Sequence, residues 1–223
     1  CYWSLDGSEV EDGVLKLCYL TETEDEAAEL IQMLRDQRRN ILNELSGHMD
    51  TVTQRRILRL LFDYLADHIT YAEDELQKQV CSPWIYNVNG VLLKEKGVCL
   101  GIAMTVNYFC QALHIPSILI TGEAKVMGWT GNHGWNMVKL DEEYYHLDAT
   151  FDNTLGKHSV AGQEIRYDYF NLDDKKIFRD HEPLIAPAPV CTNGDHFYYR
   201  EKKLSFTKEE DVYKRSLQAA KKG

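Results

Sequence analysis

An α+β fold is predicted for this chain by three features of its order. Amphipathic helix patterns fill the first half, short strand-like runs follow one another in the second, and no strand–helix–strand alternation links them. A length of 223 residues suffices for one sizeable core. With 44% hydrophobic and 27% charged residues the composition is that of a folded globular protein, not a disordered one. The formal charge of −10 argues against a nucleic-acid partner, which requires a basic face. No apolar run reaches the roughly 20 residues of a membrane span.

The elements follow from local patterns. Residues 14–20, "VLKLCYL", alternate as a short strand. From Glu24 to Leu45 a helix is marked by Ala27, Leu30, Ile31, Leu34, Ile41, Leu42 and Leu45 on one face, with Gly47 as its stop. A capping box, Thr51 to Gln54, opens a second helix whose stripe runs through Ile57, Leu58, Leu61, Tyr64 and Leu65. "CSPWIYNVNGVLLKEKG" reads as loop, broken by Pro83, Gly90 and Gly97. A central helix is expected from Val98 to Leu113, ended by Pro116. "SILITG", "HGWNMVKL" and "EYYHLDATF" are strands, "RYDYFNLDDKKIFRDH" a loop with a short helix, "FYYREKKLSF" a strand or hairpin, and Thr207 to Glu210 another capping box.

The cysteines at 1, 18, 81, 99, 110 and 191 form no CxxC pair and no zinc-ligand spacing, so no metal and no cofactor is expected. Cys99 differs from the rest because it falls in the first turn of a helix, just after Gly97. Unpaired N–H groups and the helix dipole favour an anion there, either a thiolate or the oxygen formed when a carbonyl is attacked. Cys110 lies on the apolar face of the same helix and is read as core. A nucleophilic cysteine needs a base, and the base an orienting partner. With Asp141 and Glu142 as a two-residue turn, Leu140 pairs with Glu143 and Trp135 opposes Asp148. His133 then lies diagonally across from Asp148 on the same face, roughly 7–8 Å away at the backbone. A three-residue turn would put the two on opposite faces. Taken singly, His133 can equally be a structural histidine and Asp148 a strand-end cap.

"KGVCLGIA", "NHGWNMVKLDEEYYHLDATFDN" and "YDYFN…RDH", in this order, resemble the transglutaminase-like superfamily in its bacterial transglutaminase-core branch. The resemblance implies a papain-like fold, a central helix packed on an antiparallel sheet and preceded by N-terminal helices. Residues 1–49 are then a strand-and-helix extension and 50–223 the transglutaminase-like core, expected to form one compact unit. By position, Cys99 is the implied nucleophile, His133 the general acid/base and Asp148 the orienting carboxylate. Two departures stand out. Gly134 replaces the alanine usual after the histidine, and Asn89 stands where a tyrosine is common. Asn89 is a candidate oxyanion donor or a turn residue, and Trp135 borders the cleft or packs beneath the triad. His146 and His181 match family positions and are read as structural. No calcium loop is present in the sequence.

The implied activity is cysteine-dependent acyl transfer on protein or peptide amides through a Cys99 thioester, giving cross-linking or deamidation. The alternatives are a cysteine protease or peptidase of the same fold, and a non-catalytic binding module that keeps it. The expected partner is a protein or peptide substrate. The oligomeric state is open, and the lean is toward a secreted or cell-surface protein, from the branch's habits and a chain that starts at Cys1.

Overall fold

Helices come first and strands second in the computed structural model, which describes residues 5–11, 14–47, 53–78, 82–126, 128–157, 166–186 and 189–221. Strands β1 (Leu5–Glu11) and β2 (Val14–Tyr19) form an antiparallel hairpin. Only β2 is legible in the sequence, because β1 is a polar stretch with no apolar alternation and is made by its pairing. Helix α1 (Glu24–Gly47) opens with Thr23 accepting from Glu26 N–H at 3.2 Å while the Glu26 carboxylate reaches back to the N–H groups of Glu22 and Thr23. Its buried stripe is Leu30, Leu34, Ile41 and Leu45. Helix α2 (Gln54–His68) is capped by Thr53, which accepts from Arg56 N–H. The predicted Thr51–Gln54 box begins on residues outside those described.

Strand β3 (Thr70–Tyr71) and helix α3 (Glu73–Lys78) lead to the stretch read from sequence as loop. It is instead a 3-10 turn, Pro83–Tyr86, followed by helix α4 (Val88–Lys94). The Asn87 side chain accepts from Asn89 N–H and so caps α4, while Glu95 ends it in the left-handed region at φ 52°. Strand β4 (Lys96–Gly97) pairs in parallel with β3, setting Tyr71 beside Gly97. Helix α5 (Cys99–Ala112) then runs through the centre, with Ile102, Ala103, Val106, Phe109 and Cys110 all buried.

Strands β5 (Ser117–Val126), β6 (Trp129–Leu140) and β7 (Glu143–Leu147) form the middle of the main sheet. Helix α6 (Ala149–Lys157), strand β8 (Phe170–Leu172), helix α7 (Asp174–Ile177) and strand β9 (His181–Pro183) follow. The sheet is antiparallel, in the order β8-β7-β6-β5-β9. Its β6–β7 register matches the parity argument: Leu140 pairs with Glu143 and Asn136 with Leu147, around a two-residue turn in which Asp141 and Glu142 both have positive φ. The sequence "DATF", read as strand, is the first turn of α6. The aromatic run "FYYRE", read as strand or hairpin, contains helix α8 (Tyr198–Glu201). Side-on packing decides that segment: Tyr198 stacks on Tyr167 with ring centroids 3.9 Å apart, and Phe197 packs on the second core cluster. Helix α9 (Glu209–Ala220) starts after Lys208 without a side-chain cap, so the Thr207–Glu210 box is not formed.

Two apolar clusters flank the sheet. One joins α1, α2, α4 and α5 to Val138, Leu140, Tyr145 and Leu147. The other holds Ile120, Trp135, Met137, Phe151, Leu172 and Ile177. The alternation of Trp135 and Met137 with Asn136 and Val138 along β6 is the period-two pattern of a strand buried on both faces. Asn136 ties the layers together by donating Nδ2–H to Ala103 O at 2.9 Å.

Gly101 and Gly122 permit close backbone approach beside the site. A Cβ on Gly101 would lie 2.5 Å from Ile85 O, where the 3-10 turn crosses α5. A Cβ on Gly122 would lie 2.1 Å from Glu182 O, where β9 closes on β5. Gly134 differs, since a Cβ there would meet Leu100 Cα at 3.6 Å, an ordinary contact, so the family's alanine fits. Gly101→Ala should therefore lower unfolding free energy by about 1–3 kcal/mol in urea denaturation. Gly134→Ala should change it by less than about 0.5 kcal/mol.

Candidate active site

The start of α5 is set by its neighbours. Val98, extended at φ −103° and ψ 179°, precedes the helix without a side-chain cap and donates its own N–H to Ile85 O at 2.9 Å. Cys99 is the first helical residue and is partly exposed, unlike Cys110 and Cys191, which are buried. Burial pushes the thiols of Cys110 and Cys191 up to about 12, so both stay protonated at neutral pH.

The β3–β4 pairing brings Tyr71 to the sulfur. Tyr71 and Cys99 line the same cleft, close enough for the cysteine to act on the titration of the phenol. Burial and the negative charges of Cys99 and Asp148 raise its pKa above the ordinary phenol value, so it remains a donor. Sequence reasoning missed Tyr71, which stands 28 positions before the cysteine. Only the two-residue parallel bridge shows that they meet, and such a bridge has no sequence signature.

His133 and Asp148 come together as the hairpin parity requires. His133 Nε2 and Asp148 Oδ2 are 2.7 Å apart, with both side chains almost wholly buried. With Nε2 given to Asp148, Nδ1 is the nitrogen left for Cys99. Burial works against the imidazolium, but the charge and hydrogen bond of Asp148, with a smaller contribution from Cys99, outweigh it and push His133 up to about 10. Asp148 Oδ1 accepts from Thr150 N–H at 2.9 Å and Phe151 N–H at 3.1 Å, so the same carboxylate caps α6. His181 Nε2 adds a further contact to Asp148 Oδ2 at 3.0 Å. Burial alone would raise the Asp148 pKa, yet these partners hold it well below the usual carboxylate range.

Trp135 lies beneath the histidine, its ring nearly parallel to the imidazole at 6.2 Å, and is fully buried. It does not border the cleft; it donates Nε1–H to His146 Nδ1 at 3.2 Å. Asn89 is also fully buried, with its Nδ2–H given to Asn87 Oδ1 at 3.0 Å. Asn89 thus helps to brace the first turn of α4. The cleft itself holds about 870 Å³ and exposes Cys99 and His133 between an apolar wall, Leu76 and Leu184, and two carboxylates, Glu123 and Glu182.

Among the described residues, two groups place nitrogen, oxygen or sulfur donors within 4.8 Å of one another: His133, Asp148 and His181, and His146, Asp174 and Cys191. In the first, each imidazole already touches Asp148 Oδ2 at hydrogen-bond distance, which leaves no room for an ion between them. In the second, the Trp135 N–H occupies His146 Nδ1, so the ring hydrogen sits on Nε2 and goes to Asp174 Oδ1 at 2.9 Å. A metal at Nε2 would have to displace that hydrogen and leave an imidazolate. Both groups fit hydrogen-bonded side chains better than a metal.

A profile of the transglutaminase-like superfamily matches residues 39–149, a span containing Cys99, His133 and Asp148. The chain belongs to the transglutaminase-like superfamily. Its α+β architecture, with the cysteine at the head of a central helix on an antiparallel sheet, is the papain-like fold of that superfamily. Solved structures similar to this transglutaminase-like chain include one described as a TGase, with 18% identity over 63% of this chain and 36% of that one and a TM-score of 0.47. An arylamine N-acetyltransferase from Bacillus cereus, described as having a unique Cys-His-Glu triad, is similar at 16% identity over 53% and 49% of the two chains, TM-score 0.41. A candidate cysteine protease from Cytophaga hutchinsonii is similar at 19% identity over 55% and 42%, TM-score 0.40. The chain thus spans about a third to a half of the length of these structures. No curated protein matches it.

The ion pair sets a pH signature for stability. His133 is raised above its unfolded value near 6.5, so its contribution is full below that value and is lost as pH climbs toward about 10. Asp148 is depressed, so its contribution is present above about 3.9 and is lost under acid. Unfolding free energy should therefore fall between pH 6.5 and 10, and Asp148→Asn should flatten that limb in denaturant titrations.

Proposed function

We propose that this transglutaminase-like protein catalyses acyl transfer from a carboxamide of a protein or peptide through a thioester on Cys99. The observation that carries this reading is the buried His133–Asp148 pair at 2.7 Å, with His133 and the partly exposed Cys99 lining the same cleft. In this reading the Cys99 thiolate attacks the amide carbon, a C–S bond forms, and the carbonyl electron pair moves to oxygen. The α5 backbone N–H groups and the Tyr71 hydroxyl are the donors nearest that oxyanion. The C–N bond then breaks as His133 gives its Nδ1 proton to the departing nitrogen. The neutral imidazole next takes a proton from an incoming amine or water, the new acyl bond forms, and the C–S bond breaks to return the thiolate. Asp148 keeps the ring in the required orientation and balances the imidazolium throughout.

Glutamine-containing peptides with a primary amine donor test the reading. Wild type should release ammonia and incorporate the amine, or release ammonia alone if water wins. Cys99→Ala should abolish both, and His133→Ala should lower the rate about 10²–10⁴-fold. Tyr71→Phe should slow acylation about 10²-fold with stability retained. Iodoacetamide at pH 6 should label Cys99 ahead of Cys110 and Cys191, as read by peptide mapping. Labelling of Cys99 no faster than these buried thiols, or equal activity of wild type and Cys99→Ala, refutes it.

A further inference from the structure

Behind the proposed triad lies a second imidazole that the reaction as written leaves without a task. His181 begins β9, and its side chain is fully buried. Its Nε2 lies 3.0 Å from Asp148 Oδ2, and its Nδ1 lies 2.7 Å from Asp180 Oδ1. A neutral imidazole carries one N–H, so one of these contacts would then set a nitrogen lone pair against a carboxylate. Only the doubly protonated ring donates to both. Neither carboxylate is a plausible holder of the missing proton. Asp148 Oδ2 also takes His133, and its Oδ1 takes two backbone N–H groups. Asp180 Oδ2 accepts the Tyr169 hydroxyl at 2.8 Å, so both of its oxygens are acceptors as well.

We propose that His181 is an imidazolium clamped between Asp148 and Asp180, a positioning residue that aims the Asp148 carboxylate at His133 and shares its negative charge. The proposal rests on the Cys99–His133–Asp148 reading and deepens it. The row then alternates from the His133 cation to the Asp148 anion to the His181 cation, with the Asp180 carboxylate beyond it. Among the groups facing the His181 ring, Asp148 and Asp180 favour the cation and the His133 charge opposes it. His133 on β6 lies 5.3 Å away, ring to ring, and Trp135, Phe151 and Tyr169 enclose the remainder at 5.0, 4.9 and 5.6 Å. His146 on β7, the next titratable ring, is held neutral, with burial the main cause and repulsion from His181 a lesser one. For His181 itself, burial opposes the charge, but the bonds to Asp148 and Asp180 outweigh it and raise its pKa.

One carboxylate shared by two cations behaves differently from one held by a single cation. With His181 charged, Asp148 stays ionised and oriented, yet stabilises the His133 proton less than it would alone. His133 can then release that proton to a leaving group more readily. The approach of β9 that makes this possible depends on Gly122, whose backbone lies flush against Glu182 and Pro183.

Nitrogen-15 NMR of the imidazole groups tests this on the full chain. In wild type, both His181 nitrogens should show protonated shifts that do not move between pH 6 and 8.5. Asp180→Asn keeps an acceptor at Nδ1 but removes the charge, and should bring a His181 titration into that range. His181→Gln keeps an N–H donor without the charge. In a Cys99→Ala background, where the thiolate no longer holds the His133 proton, it should raise the His133 midpoint by about one pH unit. A neutral His181 in wild type at pH 7.5 overturns the proposal, as does an unmoved His133 midpoint in folded His181→Gln. If that variant fails to fold, the wild-type spectrum decides. Loss of the acyl-transfer reading would show instead as an inert Cys99 with His181 still protonated, so the two failures are distinguishable.

Discussion

A single buried carboxylate organises this half of the molecule. Asp148 has no water to solvate it, and an unpaired charge there would cost several kcal/mol. Four donors offset that cost: two backbone N–H groups at the start of α6 and two imidazoles, from β6 and β9. Each donor belongs to a different local decision of the chain. The helix begins where it does because Asp148 caps it. The β6–β7 turn has two residues because only that parity brings His133 to the same face. The β9 strand must reach β5 for His181 to arrive. Loss of any one of these leaves the charge undercompensated, so the fold and the site share one electrostatic requirement.

The approach of His133 to Asp148 was legible because strand periodicity is a strong constraint. Fixing the Asp141–Glu142 turn fixes every pairing along β6 and β7, and with it the His133–Asp148 approach. The helix head at Cys99 was legible from glycine and apolar spacing. Long-range pairings were not. Tyr71 meets Cys99 through a bridge two residues long, and His181 meets Asp148 across a sheet edge of three residues. Neither segment is long enough to carry periodicity. Of the two roles open to Asn89 in the sequence, the turn of α4 favours the structural one by directing its amide to Asn87.

Local propensity also lost to packing in the C-terminal part. The stretch from Phe197 to Glu201 looks strand-like because aromatics favour strands. Tyr198 instead stacks on Tyr167, whose hydroxyl binds Asp63 on α2, and the segment coils to keep these contacts. The loop reading of residues 82–97 failed in a related way. Its glycines are breakers in isolation, but here the Pro83–Tyr86 turn and α4 pack against α5 and hold the cysteine's backbone, with Val98 N–H bonded to Ile85 O. What looks like punctuation in the sequence is the support on which the head of α5 rests.

Gly122 carries no reactive group, yet its position bounds how such a site can vary. It pairs with His133 on one side and with Pro183 on the other, and the Glu182 carbonyl occupies the space a methyl group would need. Even alanine would wedge β9 outward and draw the second imidazole off the carboxylate. A descendant of this chain could exchange rim residues such as Leu184 or Glu123 and acquire a new substrate preference without touching that spacing. The position opposite the histidine has no such latitude. Divergence is confined by backbone separation at a residue that takes no part in the chemistry.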